Sequence, residues 1–295
     1  MRFSFALLLC LFPALAVAQT PEIDSAVKGK LATLKFIQSL RDPATGAYRV
    51  TPDGKPSLRA VNGAVKALHY LGAKAPEPEK TVAFVLSCYD PKTGAFAEPG
   101  GKPDVAITSI GVMAAAELGI PKEKYAKAMD YLRANAKTFE EVRIGAAALE
   151  ALGEKPEWVK EWFQAARWQM KDPGEAALKD GGARDVGSVA AMYLRLGRPV
   201  PDPKAVGNQL VAGQRPDGGW GKAGEAASDL ESTYRVMRAL HLLKQKPADP
   251  AKLRGFVALC RNKDGGYGVT AGAPSTMSGV YYAAIVSKWL DDMEK

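Results

Sequence analysis

The sequence predicts an all-α fold, an α/α toroid of six helix-pair repeats. Three observations lead to this prediction. A Gly-rich turn with one aromatic residue, at 214–234, recurs at 261–282, with Asp217 and Asp264 standing 47 residues apart. A Leu-Gly pair ends several apolar runs at similar intervals, and a period in this range is typical of helical repeat proteins. No alternating apolar pattern of useful length predicts a strand.

Leucines near the end of each second helix set the phase of the repeat. They are Leu71, Leu118, Leu152, Leu196, Leu243 and Leu290, at steps of 47, 34, 44, 47 and 47 residues. This spacing defines six units, of which the third is short and lacks the Gly-aromatic turn. Units one and two carry a weaker form of the turn, which ends at Tyr48 and Phe96.

Each unit is predicted to contain two helices joined by a turn. In unit one, residues 23–40 have a helical pattern, and residues 57–71 resume it with apolar side chains at three- and four-residue spacing. Between them, Asp-Pro and Thr-Gly pairs break the helix. The later helix pairs are predicted at 81–88 and 107–118, 125–136 and 141–152, 158–170 and 186–196, 204–214 and 230–243, and 252–261 and 276–290. Unit four keeps only Asp180, Gly181 and Gly182 of its turn.

The two helices of a unit differ in composition. The second helices are richer in small residues, such as Gly63, Gly111, Gly145 and Gly279, whereas the first helices carry more Lys and Glu. Small side chains permit close packing, so we expect the second helices to form an inner ring and the first helices an outer ring. Closure of the inner ring would leave a central cavity. An open solenoid is the competing geometry, and six units of this length favour closure.

The first 18 residues are predicted to be a secretory signal peptide. They carry Arg2, an apolar run over 3–17, and Ala16-Val17-Ala18 ahead of Gln19, which is an A-x-A cleavage pattern. A buried core helix is the alternative interpretation. No later stretch is long enough to cross a bilayer. We therefore expect one toroid domain over 19–295, exported to the periplasm or outside the cell, without a transmembrane segment in the mature chain.

Cysteine usage and net charge narrow the classes of partner. Cys88 and Cys260 occupy equivalent places in units two and six, which are not neighbours in a ring, so we expect buried thiols rather than a disulfide.

The formal charge is +8, but the lysines are scattered among acidic residues. No basic stripe with interleaved aromatics is present, so nucleic acid is not an expected partner. The balance is compatible with an anionic ligand.

The Gly-aromatic turn is predicted to be structural. Its glycines permit positive φ, its aspartates hydrogen-bond the turn, and its aromatic residues pack between the helix layers. The residues given this structural role are Gln214, Asp217, Gly218, Trp220, Gly265, Gly266 and Tyr267.

The same turn carries a resemblance to a known superfamily. Gln214, Gly218 and Trp220 fit the pattern Q-x-x-x-G-x-W of squalene and hopene cyclases, and residues 253–267 resemble the repeats of protein prenyltransferase β subunits. The resemblance covers the whole mature chain in period and is specific in units five and six. It implies an α6/α6 barrel whose cavity, in the family, holds isoprenoid chains.

The zinc site of protein prenyltransferases does not carry over to this sequence. The resemblance places the family's Asp ligand on Asp264, its Cys ligand on Gly266 and its His ligand on Ser278 or Gly279. Glycine has no donor, and zinc needs sulfur or imidazole ligands. No metal and no other cofactor is therefore predicted. His69 and His241, late in inner helices one and five, are expected to be packing residues.

The cyclase acid motif D-x-D-D is also absent. Its nearest counterpart is Asp229-Leu230-Glu231, for which helix capping is the alternative interpretation. We take Asp229, Glu231 and Asp264 as candidate catalytic residues. The candidate ligand contacts are Tyr234, Arg235, Arg238, Tyr281 and Tyr282, in which two arginines three apart share a helix face and suit a diphosphate or carboxylate.

Two functions are consistent with these residues. The first is a binding toroid without either catalytic constellation, which holds an isoprenoid or other lipid ligand in its central cavity, or a protein partner. The second is an enzyme, an isoprenoid transferase or terpene-cyclase-like protein that acts on a polyprenyl lipid through an atypical constellation.

Overall fold

A computed structural model of the chain describes residues 21–162, 164 and 182–295, with side chains from residue 27 onward. Within these ranges the secondary structure is helical, and the only β-type pairing consists of isolated bridges in the turns. The labelled α-helices are α1 (Pro21–Ser39), α2 (Leu58–Tyr70), α3 (Pro78–Ser87), α4 (Val105–Glu117), α5 (Ala128–Asn135), α6 (Phe139–Leu152), α7 (Ala183–Arg195), α8 (Pro203–Ala212), α9 (Leu230–Leu242), α10 (Pro250–Leu259) and α11 (Met277–Glu294).

The second helices of the six units form a closed inner ring. Helix α2 packs against α4, α4 against α6, α6 against α7, α7 against α9, and α9 against α11. The last member, α11, packs against α2 and closes the ring. The prediction of a closed α/α toroid is therefore confirmed, and an open solenoid is excluded.

The first helices lie outside this ring. Helix α3 contacts both α2 and α4, and α8 contacts both α7 and α9. Helix α5 contacts α4, while α1 and α10 both contact α11. The predicted division into inner and outer helices is confirmed for the helices that the structure describes.

Small residues let the inner helices approach their neighbours. A Cβ added at Gly111 of α4 would lie 2.3 Å from the Phe96 ring, and one at Gly145 of α6 would lie 2.6 Å from Trp162. At Gly187 of α7, the added atom would lie 3.1 Å from backbone atoms of α9. Larger side chains at these positions would force the ring apart.

Side-chain caps mark the starts of most inner helices. Ser57, Asp104, Thr138, Asp229 and Thr276 have extended backbones, and each accepts a hydrogen bond from the amide three residues later. Helix α7 begins after Gly182 without a side-chain cap. These starts lie at the same end of the ring, where the positive ends of the helix dipoles gather.

The Gly-aromatic turn has a structural geometry in units five and six. Trp220 is 1% exposed, and its indole Nε1 donates to the Leu210 carbonyl over 2.9 Å. Asp217 Oδ1 accepts hydrogen bonds from the Gly219 amide at 3.0 Å and from the Ser228 hydroxyl at 2.8 Å. Gln214 donates to the Gly218 and Asp249 carbonyls, which joins the turn to the start of α10.

The equivalent turn of unit six forms the seam between the last and first units. Gly265 has φ +86°, and a Cβ there would lie 2.5 Å from the Ala32 backbone. Thr33 Oγ1 donates to the Gly265 carbonyl over 2.9 Å, and Arg261 Nη2 donates to the Gly29 carbonyl over 2.7 Å. These contacts hold α1 against the end of the chain.

The helix boundaries agree with the sequence pattern with few exceptions. Helix α11 continues to Glu294, beyond the predicted end at 290, and α5 is shorter than the predicted 125–136 because a 3₁₀ turn occupies Lys122–Tyr125. Most of the predicted helix 158–170 and the turn residues Asp180 and Gly181 lie outside the described residues. The signal peptide predicted at 1–18 also lies outside them.

Cys88 and Cys260 are free and buried. Burial raises the pKa of the Cys88 thiol to about 11 and that of Cys260 to about 12. Both therefore act as small apolar side chains in the core.

Ring closure at the seam can be tested with two glycines of the same turn. Gly265 and Gly272 both have positive φ, but a Cβ at Gly272 meets nothing within 4 Å. Gly272→Ala is expected to cost about 1–2 kcal/mol for the left-handed backbone alone. Gly265→Ala is expected to cost roughly 1–3 kcal/mol more, because the new methyl group pushes α1 away. Denaturant unfolding of both variants measures the difference, and equal losses would contradict the close seam.

Candidate functional site

The inner helices enclose a cavity of about 200 Å³ that opens at the end where these helices begin. Each of the six contributes side chains to its wall. The polar lining residues are Arg59, Asn62, Arg143, Arg195, Glu231, Tyr234, Arg235, Ser278, Tyr281 and Tyr282, and apolar groups such as Ile110, Met113 and Met277 fill the space between them.

The charge of this lining is unbalanced. Four arginines face the cavity, and Glu231 is the one carboxylate among the described lining residues. Arg235 Nη2 contacts Glu231 Oε1 at 2.8 Å, and Arg235 Nη1 reaches Glu140 Oε1 at 3.4 Å. Arg184 adds a second, longer contact to Glu231 at 3.4 Å. The mouth of the cavity therefore carries a network of ion pairs that spans helices distant in sequence.

Glu140 joins a second arginine to the same network. Arg143 Nη2 lies 2.6 Å from Glu140 Oε2, on the side of the cavity opposite α11. Burial would raise the pKa of Glu140, but the hydrogen bond from Arg143 and the charges of Arg143 and Arg235 lower it overall. Glu140 is thus held as a carboxylate between two cavity-lining guanidinium groups.

Arg59 differs from the other lining arginines. Its backbone amide donates to Glu98 Oε1 at 3.1 Å, and the Leu58 amide donates to Glu98 Oε2 at 2.6 Å. In the described part of the chain its guanidinium group has no ion pair or hydrogen bond, and the residue is exposed. The arrangement leaves one planar cation at the mouth that is available to an anion.

Aromatic side chains form the deeper wall. The Tyr234 ring lies 5.6 Å from the Tyr281 ring, 5.1 Å from Tyr282 and 5.8 Å from Trp289, measured between centroids. Tyr70 of α2 stacks on Tyr281 at 6.4 Å. Such a cluster offers a large apolar surface with polar hydroxyl tips.

A second ion-pair group lies below these rings. Arg238 sits 4.5 Å from the Trp289 ring and 5.7 Å from the Tyr234 ring, and its Nη1 lies 3.6 Å from Glu150 Oε1. Arg195 Nε contacts the same carboxylate at 2.9 Å.

The phenols of the cluster differ in acidity. Burial would raise the pKa of Tyr234, but the guanidinium groups of Arg238 and Arg195 and a hydrogen bond from Tyr281 lower it well below its usual value. Burial and the neighbouring Tyr234 raise the pKa of Tyr281, and burial raises that of Tyr282. The pKa of Tyr234 is thus shifted in the opposite direction from those of Tyr281 and Tyr282.

The structure brings the predicted ligand contacts together and separates the predicted catalytic residues. Glu231, Tyr234, Arg235, Tyr281 and Tyr282 line the cavity, and Arg238 lies one turn deeper.

Two of the three candidate catalytic carboxylates do not line this cavity. Asp229 caps α9, where Oδ1 accepts from the Ser232 amide and Oδ2 from the Ser232 hydroxyl, each over 2.7 Å. Asp264 accepts from the Gly266 amide and the Ser275 hydroxyl in its turn. On the sequence alone, both residues are grouped with Glu231 as candidate catalytic carboxylates. The structure separates them from Glu231, because both carboxylates are engaged in local backbone and hydroxyl hydrogen bonds.

Several members of the site had no role in the sequence argument. Arg195, Glu150 and Trp289 lie near the ends of inner helices, one or two residues before the leucine phase markers. Lys66 stands five residues before its marker, as the predicted contact Arg238 does, so a comparison of charged residues in phase would have found Lys66. Lys66 is buried and lies 3.9 Å from Glu117.

Two further features bear on the kind of site. In the described ranges, no three His, Cys, Asp or Glu side chains gather in a way that could hold a metal ion. Among the helices that the structure describes, none combines the length and the apolar character needed to span a bilayer.

Known structures with a similar fold include a type II terpene cyclase. The apo form of MstE from Scytonema superposes with a TM-score of 0.60 at 11% identity, and the match covers 93% of this chain and 99% of that chain. A variant of the same cyclase in complex with geranylgeranyl dihydroxybenzoate matches with a TM-score of 0.58 at 12% identity, covering 94% and 99%. At these identities the likeness establishes the fold alone.

Comparison at the level of sequence gives the family. No curated protein sequence matches the chain at a significant level. The profile of the prenyltransferase alpha-alpha toroid domain matches residues 5–141 and 190–295, which is most of the chain. The chain belongs to the prenyltransferase α/α-toroid family.

Proposed function

We propose that this protein is a binding toroid whose central cavity holds an amphiphilic anion, an isoprenoid diphosphate or another lipid with a phosphate or carboxylate head group. One observation carries the proposal. Four arginines from α2, α6, α7 and α9 line the cavity against one carboxylate, Glu231. Charges of one sign in a cleft with low-dielectric walls attract and concentrate ligands of the opposite sign.

The head group would bind at the mouth. Arg59 is free to form a bidentate contact with phosphate or carboxylate oxygens, and Arg143 of α6 and Arg235 of α9 line the same cavity from other sides. Their carboxylate partners, Glu140 and Glu231, hold these side chains in place before a ligand arrives. Such preorganisation reduces the entropy lost on binding.

The apolar part of the ligand would lie against the aromatic wall. Tyr234, Tyr281 and Tyr282 line the cavity beside the arginines, and Met113 and Met277 provide adaptable apolar contacts. A wall that combines cations with apolar ring faces favours a ligand with one charged end and an apolar part.

An enzymatic function is the second candidate. Glu231 is the predicted catalytic carboxylate that does line the cavity, and the fold is that of a cyclase that is described in complex with its geranylgeranyl dihydroxybenzoate substrate. Product analysis after incubation of the protein with geranylgeranyl substrates distinguishes the two candidates. A cyclised or transferred product that disappears in Glu231→Gln would favour the enzyme over the binding toroid.

We also propose that the protein is exported. The motif Ala16-Val17-Ala18 follows an apolar run and precedes Gln19. Expression of the full chain in a bacterium, followed by fractionation and N-terminal sequencing, is expected to give a periplasmic or secreted protein that begins at Gln19. A cytoplasmic protein that retains Met1 would contradict export.

The cation at the mouth gives the first test of ligand binding. Charge-assisted hydrogen bonds contribute about 1.5–3 kcal/mol, so Arg59→Ala is expected to weaken geranyl diphosphate binding roughly 10- to 100-fold. Its stability should change little, because the side chain has no partner to lose. Arg133→Ala, which removes a surface arginine paired with Glu161, is the matched control and should bind normally. Calorimetric titration measures the affinities, and equal binding by both variants would contradict the site.

Asp229, the N-cap residue of α9, is expected to affect stability rather than ligand binding. Asp229→Ala removes two hydrogen bonds at the helix start and is expected to cost about 0.5–2 kcal/mol of stability. Ligand affinity should stay close to that of the unchanged protein, because Asp229 does not line the cavity. Thermal melts and titration of the same preparation give both quantities. A loss of binding without a loss of stability would support a role for Asp229 in the site and contradict its assignment as a cap alone.

The absence of zinc ligands also has a measurable consequence. Gly266 and Ser278 stand where the family's zinc enzymes have Cys and His, so a chelator is expected to leave the melting temperature unchanged. Metal analysis of the purified protein is the control. A lower melting temperature with chelator, or stoichiometric zinc, would support a transferase.

A further inference from the structure

Two buried guanidinium groups beside the cavity share a single carboxylate. The side chains of Arg195 and Arg238 are 4% and 13% exposed, and both pair with Glu150, at 2.9 and 3.6 Å. Arginine does not lose its proton in proteins. Lys66 does not change this balance, because it pairs with its own carboxylate, Glu117. The described part of this group therefore holds one more cation than carboxylates.

An uncompensated buried cation is costly, so a further negative group is expected close by. Tyr234 is in the right position. Its ring lies 5.7 Å from the Arg238 guanidinium carbon, and it lines the cavity together with Arg195. The Tyr281 hydroxyl is 3.4 Å from the Tyr234 hydroxyl, within reach of a hydrogen bond to a Tyr234 phenolate. Tyr234 is thus placed to accept hydrogen bonds beside a surplus of positive charge.

Other ionisable groups face Tyr234 from the neighbouring helices and enter any titration of it. They are Lys66 and Tyr70 on α2, Glu117 on α4, Glu150 on α6, Arg195 on α7, Glu231, Arg235, Arg238 and His241 on α9, and Tyr281 and Tyr282 on α11. Burial and the charge of Arg238 lower the pKa of His241, which favours the neutral imidazole, so His241 does not balance the surplus cation.

We propose that Tyr234 is the proton acceptor of the central cavity, a phenolate that balances the shared arginines when the cavity is empty. An anionic head group that enters the cavity takes over this balancing role. Tyr234 then takes up one proton from solvent, an O–H bond forms on the phenol, and no bond of the ligand breaks. The statement that ligand binding protonates Tyr234 rests on the proposed function. The statement that Tyr234 is a phenolate in the empty cavity does not.

The empty protein tests the first half of the proposal. Tyrosinate absorbs at longer wavelength than the neutral phenol, so a spectrophotometric pH titration of the folded protein is expected to show one tyrosine that ionises in the neutral range. Tyr234→Phe should abolish this signal, and Tyr282→Phe, which removes a neighbouring cavity phenol, should retain it. Circular dichroism of each variant confirms that it is folded. Ionisation of all tyrosines only in the alkaline range would overturn the proposal.

A second measurement uses the protein without substitutions, so its result does not depend on whether a variant folds. With the tyrosine ring carbons isotope-labelled, one of the ten tyrosines is expected to show the chemical shift of a phenolate at neutral pH. Ten neutral phenol signals would overturn the proposal even where Tyr234→Phe fails to fold.

Titration with geranyl diphosphate tests the second half. Binding is expected to reduce the tyrosinate absorbance and to take up about one proton per chain, measured in weakly buffered solution. Binding with unchanged absorbance would overturn the coupling. If the diphosphate does not bind but the tyrosinate is present, the proposed function fails while the assignment of the empty cavity stands.

Discussion

Closure of the inner ring is the constraint on which the rest of this structure depends. The last inner helix, α11, must reach the first, α2, and the outer helix α1 must lie against the turn of unit six. Gly265 permits that approach because its backbone lies against Ala32 with no room for a side chain. Once the ring is closed, each inner helix has neighbours on both sides and an outer layer behind it. The face towards the axis then lines the central cavity.

Closure also explains the unusual chemistry of that face. Charged side chains from all parts of the chain are brought to one axis, where little solvent is available to separate them. Arg235 meets Glu140 across 95 residues of sequence, and Arg238 meets Glu150. Burial of ion pairs adds little to stability. Under the proposed function, the arginines around the cavity bind a ligand with a negative charge, and Tyr234 balances them in its absence.

The sequence predicts the scaffold well because the scaffold is repetitive. The 47-residue spacing, the Gly-aromatic turns and the small residues of the second helices are local patterns, and they suffice for the helix order, the two layers and the closed ring. The role of Asp229 as a cap follows equally from its position before Leu230. These features need no knowledge of which distant residues meet.

The cavity is less predictable, because its chemistry depends on pairs that form only after closure. Tyr234, Arg235 and Tyr281 could be identified as facing inward, but nothing in the sequence shows that Arg195 and Arg238 share Glu150. Nor does it show that Asp264 is held in its own turn.

A crystal structure with geranyl diphosphate tests the central claim most directly. We expect the diphosphate within hydrogen-bonding distance of Arg59, Arg143 or Arg235, with the chain against the tyrosine rings. A diphosphate bound outside the ring, with the central cavity empty at saturating ligand, would contradict the account.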